Sequence, residues 1–313
     1  MKAPNFWARR GVLAHLLRPF GAVTAALTAR RLRRPGFEAG IKIICVGNAG
    51  VGGAGKTVVA LDLLHRLPGS RFALTRGYRG RLAGPMRVDP VVHTAVDVGD
   101  EALLLAAAAP TILAHDRAAG ARLALAEGAT AIVMDDGLQN PSLVKTLSLL
   151  VIDGGYGFGN FLVLPAGPLR EPVAAAAGRV QAAVLIGEDE SNALAHLPPA
   201  LPVLRAKLVP ESGASIRGTK IIAFAGIGRP EKFFASVRTL GGDLVATHAF
   251  PDHHVYRASD SARLLGEAEA QGAQLVTTAK DYVKLPGELR AASAVVTVRL
   301  HWDDEAALER LLA

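Results

Sequence analysis

The chain holds a single cysteine, Cys45, in 313 residues, which excludes an internal disulfide framework and any zinc site built on cysteines. Cys45 stands in the apolar run Ile43-Ile44-Cys45-Val46 and reads as a buried strand residue, and so sparing a use of thiols fits a reducing, cytoplasmic compartment. Aromatic residues are scarce, at 5%. Residues 1–37 contain no aspartate or glutamate. Their longest uncharged stretch, Pro19 to Ala29, falls short of the roughly 20 apolar residues that a bilayer-spanning helix needs. A secretory signal fits poorly, because Arg18 splits the would-be apolar core and a glycine-rich loop follows.

What these absences leave is a localised positive charge. Lys2, Arg9, Arg10, Arg18, Arg30, Arg31, Arg33 and Arg34 lie in the N-terminal segment, and the rest of the chain balances 27 basic against 28 acidic residues. The net charge of +7 therefore belongs to the N-terminus. A nucleic-acid binder spreads basic residues over a folded face and interleaves aromatics, so no nucleic-acid partner is expected. At 100° per residue Phe6, Leu13, Leu17 and Phe20 share one helical face, with Arg9 and Arg10 close to it and Pro19 expected to interrupt the helix. One reading is a helix that covers the folded domain. The preferred one is a helix over residues 1–36 lying on an anionic membrane surface, with arginines at lipid phosphates and Phe, Trp and Leu at the acyl boundary.

Half of the residues are hydrophobic, and glycine is abundant, which suits helices packed on a sheet. Short apolar runs at 41–46, 71–75, 110–114, 130–134, 147–152 and 182–186 read as strands, with helices at 56–67, 100–108 and 116–127. A Pro-rich stretch with Pro198, Pro199, Pro202 and Pro210 reads as a boundary. Beyond it a second series follows, with strands at 219–225, 244–249, 274–278 and 295–299 and helices at 230–240, 258–271 and 303–312. The expected fold is an α/β P-loop NTPase-type domain with a mainly parallel sheet (37–190), a linker (191–215) and a smaller α/β domain (216–313).

Gly50-Val51-Gly52-Gly53-Ala54-Gly55-Lys56-Thr57 satisfies G-x-x-x-x-G-K-[ST] between a strand ending at Val46 and a helix beginning near Lys56. In such a loop, glycines let backbone amides face phosphate oxygens, and the helix N-terminus adds its partial positive charge. Lys56 is placed to reach the β- and γ-phosphates of ATP, and the Thr57 hydroxyl to ligand Mg²⁺. The run Ala131-Ile132-Val133-Met134-Asp135-Asp136 ends in two carboxylates, either of which suits the metal.

Further polar clusters stand at expected strand ends and loops, where ligands gather in open α/β sheets. The order G-N-x-x-x-G-G-x-G-K-T, T-R-G-Y, G-D-E, D-D-G-L-Q, L-P-A-G-P-L-R-E-P, A-G-I-x-x-P-x-x-F-F, D-H-H and T-T-x-K-D resembles the tetraacyldisaccharide 4'-kinases, the lipid A 4'-kinases of Gram-negative bacteria. The resemblance runs over nearly the whole chain. It departs at Ala54 and Val58, where the family usually has Thr and Pro, and at Thr75, usually Ser. It implies transfer of the ATP γ-phosphoryl group to the 4'-hydroxyl of a tetraacylated diglucosamine 1-phosphate. It also implies a peripheral protein on the cytoplasmic face of the inner membrane. By the same resemblance Asp100 and His253 form the catalytic carboxylate–histidine pair, and Glu101 joins Asp135 and Asp136 as metal-site acids. Arg76, Arg117 and Arg170 are implied to bind the lipid 1-phosphate or the nucleotide, a task suited to arginine's fork.

Two rivals are weaker. Thr278-Ala279-Lys280-Asp281 does not supply the Asn-Lys-x-Asp motif of a regulatory GTPase. A membrane-associated ATPase switch of the partitioning type usually carries a signature lysine early in the loop, where this chain has Val51.

Overall fold

This computed structural model describes residues 4–213 and 215–313, so that Lys2 of the basic segment lies outside the described residues. Among the described residues twelve strands form one continuous sheet. They are β1 (Lys42–Gly47), β2 (Arg71–Thr75), β3 (Met86–Arg87), β4 (Thr111–Leu113), β5 (Ala131–Asp135), β6 (Leu147–Asp153), β7 (Ala182–Ile186), β8 (Val203–Ser212), β9 (Lys220–Ala225), β10 (Asp243–Ala249), β11 (Gln274–Thr278) and β12 (Ser293–Trp302). Their order is β10-β9-β11-β12-β8-β7-β6-β1-β5-β2-β4-β3. Only β3–β4 and β8–β12 are antiparallel. The central strands are continuous apolar runs buried on both faces, as parallel strands covered by helices must be. Helices Lys56–Arg66 and Arg117–Ala126 are among those that provide the cover.

The pairing of β8 with β12 explains how one sheet makes a cleft. β7 attaches to the start of β8, at Val203–Ala206, whereas β11 attaches to the start of β12, at Ser293–Val296. Because β8 and β12 run antiparallel, with Val296 opposite Ser212 and Trp302 opposite Ala206, those two attachment points lie at opposite ends of a two-stranded ribbon. Each half runs its strands toward the other half's end of the ribbon. The C-terminal strand edges of both halves therefore face one another.

Within residues 191–215, the stretch expected from its prolines to be a linker, β8 forms part of the continuous sheet. β8 occupies ten of those residues, Val203–Ser212, and Pro210 is tolerated because β8 has a ladder partner on one side only at that point. The last helix, Glu305–Leu312, also returns to the first half. Leu308 and Trp302 join Leu63, Leu64 and Val133 in one core cluster, and Trp302 Nε1 donates to Asp62 Oδ2 at 2.9 Å.

At the N-terminus, Val12–Leu32 is one unbroken helix that passes through Pro19, contrary to the expected interruption. The proline removes the amide that would bond the His15 carbonyl. Both residues are exposed, so that carbonyl is open to water. Phe6 lies outside this helix, in a separate turn of 3₁₀ helix at Asn5–Ala8, and does not continue the expected apolar face. Only Ala14, Gly21 and Thr28, seven residues apart, are buried, with a Cβ at Gly21 landing 2.7 Å from the Val163 carbonyl oxygen. Val12, Leu13, Leu16, Phe20, Val23 and Leu27 stay exposed. By length and composition the helix is apolar enough to cross a membrane, which revises the estimate from the uncharged stretch alone, because Arg18 does not interrupt the helix.

Candidate active site

The glycine loop leaves β1 and ends at the helix Lys56–Arg66, whose N-terminal flank is Gly55 at φ +86°. The positive φ favours glycine there, and a Cβ would also have to displace the Ile186 Cδ1 methyl, 2.5 Å away. Lys56 Nζ donates to the Gly52 carbonyl at 3.2 Å and stands 3.9 Å from Asp136 Oδ1. The Thr57 hydroxyl donates to Asp135 Oδ2 at 3.0 Å. Asp135 Oδ1 is buried and lacks a hydrogen-bond partner among the described residues. Burial, reinforced by the negative charge of Glu101, pushes the Asp135 carboxyl up to about 7. A buried carboxylate with one unpartnered oxygen beside a hydroxyl suits a small divalent cation, whose charge would reverse that shift. Among the described residues no three His, Cys, Asp or Glu side chains gather to hold a metal by themselves, so nucleotide oxygens or water must complete any such shell.

Asp136 turns the other way. Its backbone sits in the left-handed region at φ +53°, and Arg170 grips its carboxylate with Nη1 to Oδ1 at 2.8 Å and Nη2 to Oδ2 at 2.9 Å. Burial opposes ionisation here, but Lys56 and Arg170 more than offset it and hold the carboxyl below its ordinary value. The segment carrying Arg170 is stitched to the glycine loop. Val51 N donates to the Pro168 carbonyl and Arg170 N to the Ala49 carbonyl, both at 2.8 Å. Gln139 Nε2 bridges the Asn48 carbonyl and Glu171 Oε1, at 2.9 and 2.8 Å.

The three arginines expected to bind anions differ in setting. Arg76 is exposed at the end of β2. Arg117 is buried at 2% exposure, donates to the Ala114 carbonyl, and has its pKa lowered by burial to about 10. Arg170 is held by Asp136. Arg117 therefore does not present a guanidinium to the surface.

Asp100 opens the helix Asp100–Ala106, and the preceding Gly99 (φ +83°) leaves no room for a Cβ, which would lie 2.4 Å from the Tyr78 carbonyl oxygen. His253 comes from the loop after β10 in the other half of the sheet. Its Nδ1 is 2.9 Å from both Asp100 oxygens. Its backbone is also left-handed, at φ +62°, and its amide donates to the Gly226 carbonyl at 3.1 Å. A non-glycine residue in that region costs conformational energy, which the surrounding contacts must offset. Tyr78 packs edge-on against the imidazole at 5.7 Å between centroids, and Arg79 Nη1 donates to the Asp252 carbonyl at 3.1 Å. Lys280 Nζ lies 3.5 Å from His253 Nε2 and 3.8 Å from Asp100 Oδ2. Burial raises the Asp100 pKa, but the His253 hydrogen bond and the charges of Lys280, His253 and Lys284 outweigh it and bring the value to about 2. Lys280, Asp281 and Lys284 carried no role of their own in the sequence; the T-T-x-K-D motif marked Lys280 and Asp281, and nothing marked Lys284.

Phosphoryl transfer asks a protein for positioning and charge stabilisation more than for covalent chemistry. A glycine loop on a helix N-terminus in one half, faced across a cleft by a carboxylate–imidazole pair shared with the other, meets those demands, and the class of protein is a kinase. Residues 13–313 match the family model described as tetraacyldisaccharide-1-P 4'-kinase, and the chain belongs to that family. A tetraacyldisaccharide 4'-kinase of Gluconacetobacter diazotrophicus is 55% identical over 318 residues, covering 100% of this chain and 97% of its own length. One of Methylorubrum extorquens is 54% identical over 321 residues, covering 100% and 98%. Among solved structures, LpxK from Aquifex aeolicus, crystallised in complex with ATP, superposes with a TM-score of 0.78 at 25% identity, over 96% of this chain and 98% of that one.

Proposed function

We propose that the protein transfers the γ-phosphoryl group of ATP to the 4'-hydroxyl of a tetraacylated disaccharide 1-phosphate, the lipid A precursor, at the cytoplasmic face of the inner membrane. The observation that carries this reading is the Asp100–His253 contact, which puts an ionised, oriented carboxylate in the cleft that the glycine loop lines. Lys56 and the loop amides bind the ATP phosphates. Thr57 and Asp135, with Glu101 nearby, would hold Mg²⁺, which when bound would neutralise charge developing on the phosphate oxygens. Asp100 orients the acceptor hydroxyl and takes its proton as the new oxygen–phosphorus bond forms, while His253 fixes the carboxylate. With a pKa near 2 Asp100 is a weak base, which suits a loose transition state that needs little prior activation of the nucleophile. Arg76 is the exposed arginine available to an anionic group of the lipid.

The units 37–190 and 216–313 are read as closing about the β8–β12 ribbon to exclude water. The exposed apolar side chains of the N-terminal helix, with Arg18, Arg30 and Arg31 on the same element, suit an anionic membrane surface. Nothing in the site favours the partitioning-type switch. The test is a kinase assay with ATP, Mg²⁺ and the tetraacyl disaccharide 1-phosphate. A singly added phosphate on the lipid is expected; ATP turnover without a phosphorylated lipid would overturn the reading.

A further inference from the structure

Behind the Asp100–His253 pair lies a buried ion pair. Asp281, fully buried, and Lys284, whose side chain is 4% exposed, approach to 3.0 Å between Oδ1 and Nζ. Each reaches one member of the pair in front. Lys284 Nζ is 3.5 Å from Asp100 Oδ2, across the boundary between the halves of the sheet. Asp281 Oδ2 accepts from Gly226 N at 2.9 Å and from the Thr278 hydroxyl at 2.8 Å. The Gly226 carbonyl in turn accepts the His253 amide at 3.1 Å. Space at Gly226 is tight: a Cβ would meet Asp281 Oδ1 at 3.0 Å and His254 Cβ at 3.1 Å.

A buried ion pair contributes little to stability by itself, because desolvating both charges costs about as much as their attraction returns. Nor do the Lys284 ammonium and Asp281 Oδ1 form an aligned hydrogen bond, and neither atom has another such partner among the described residues. The ammonium is shared between two carboxylates from different halves of the molecule. From this geometry we infer that Asp281 and Lys284 are positioning residues, a buried strut that sets the distance and orientation of Asp100 relative to His253. Lys284 steadies the carboxylate from behind, and Asp281 steadies the loop that holds the imidazole in its left-handed conformation. The inference rests on the reading of Asp100 and His253 as the proton-accepting pair.

The test compares Lys284→Met in the full chain with the same change made in an Asp100→Asn background. Lys284→Met is expected to lower kcat about tenfold with KM for ATP within about twofold, and to add less than about twofold once Asp100 is gone, because coupled residues are not additive. An unchanged kcat, or a full tenfold loss on top of Asp100→Asn, would overturn the strut. Asp281→Asn/Lys284→Met removes both buried charges together and keeps the test open if the single variant folds poorly. Activity aside, the His253 Nδ1–H resonance is expected to move in the double variant, and an unmoved resonance would count against the inference. Failure of Asp100→Asn itself to reduce kcat would instead sink the proton-acceptor reading, a distinguishable result.

Discussion

Arg170 holds Asp136 by two near-parallel bonds of 2.8 and 2.9 Å, while the adjacent Asp135 bonds the Thr57 hydroxyl. The two neighbouring carboxylates, equivalent in sequence, are thereby given different surroundings. One is neutralised by protein cations; the other keeps an oxygen without a partner.

This difference predicts a split in metal dependence. Asp135→Asn is expected to weaken Mg²⁺ activation by about 10- to 100-fold, because the proposed metal ligand would be removed. Asp136→Asn is expected to lower activity with the Mg²⁺ dependence nearly unchanged, since Arg170 loses its anchor while the Thr57 side is spared. Titrating Mg²⁺ against initial rate for both variants checks this; equal shifts would show that both carboxylates serve the metal.

Asp100→Ala and His253→Ala are each expected to reduce kcat by about 10²-fold or more. The double variant is expected to lose little beyond the worse single one, since the imidazole works through the carboxylate. Steady-state kinetics of the four proteins decides the point, and multiplying losses would mean that the two residues act separately.

Cys45 offers a check on the fold that does not involve activity. It is fully buried in β1, and burial pushes its thiol up to about 12. A thiol is reactive as thiolate, so the native protein at pH 8 is expected to resist alkylating reagents and to release its one thiol only on unfolding. Rapid labelling of native protein would contradict the placement of β1.

Removing residues 1–35 is expected to release the protein from anionic vesicles while leaving it folded, because only Ala14, Gly21 and Thr28 of the helix are buried. Sedimentation with vesicles of phosphatidylglycerol reads the outcome. Continued pelleting of the truncated form would place the membrane contact elsewhere.

Much of this architecture is legible in the sequence. The helix 258–271 and the strand 274–278 fall where periodicity puts them, and the glycine loop announces its own strand and helix. The failures have physical reasons. β8 alternates buried and exposed residues among prolines, so a local reading sees a boundary where a long-range partner makes a strand. Pro19 leaves the His15 carbonyl without its helical amide, and on this exposed face water can take the amide's place. The division of labour between Asp135 and Asp136 depends on Arg170, 34 residues away, and no spacing rule carries that information. Lys284 owes its meaning to a contact with Asp100 made across the cleft, and Asp281 to its contacts with Lys284 and the Gly226 amide.

The return of the helix 305–312 to the first half has a consequence for how the protein is made. Leu308 completes a core that includes Leu63 and Leu64 of the loop helix, yet the ribosome delivers it after the whole second half. The nucleotide-binding half cannot finish packing while the chain is being synthesised from its own residues alone. A chain halted anywhere between residues 216 and 304 would carry the complete glycine loop over a hydrophobic core that still lacks Leu308.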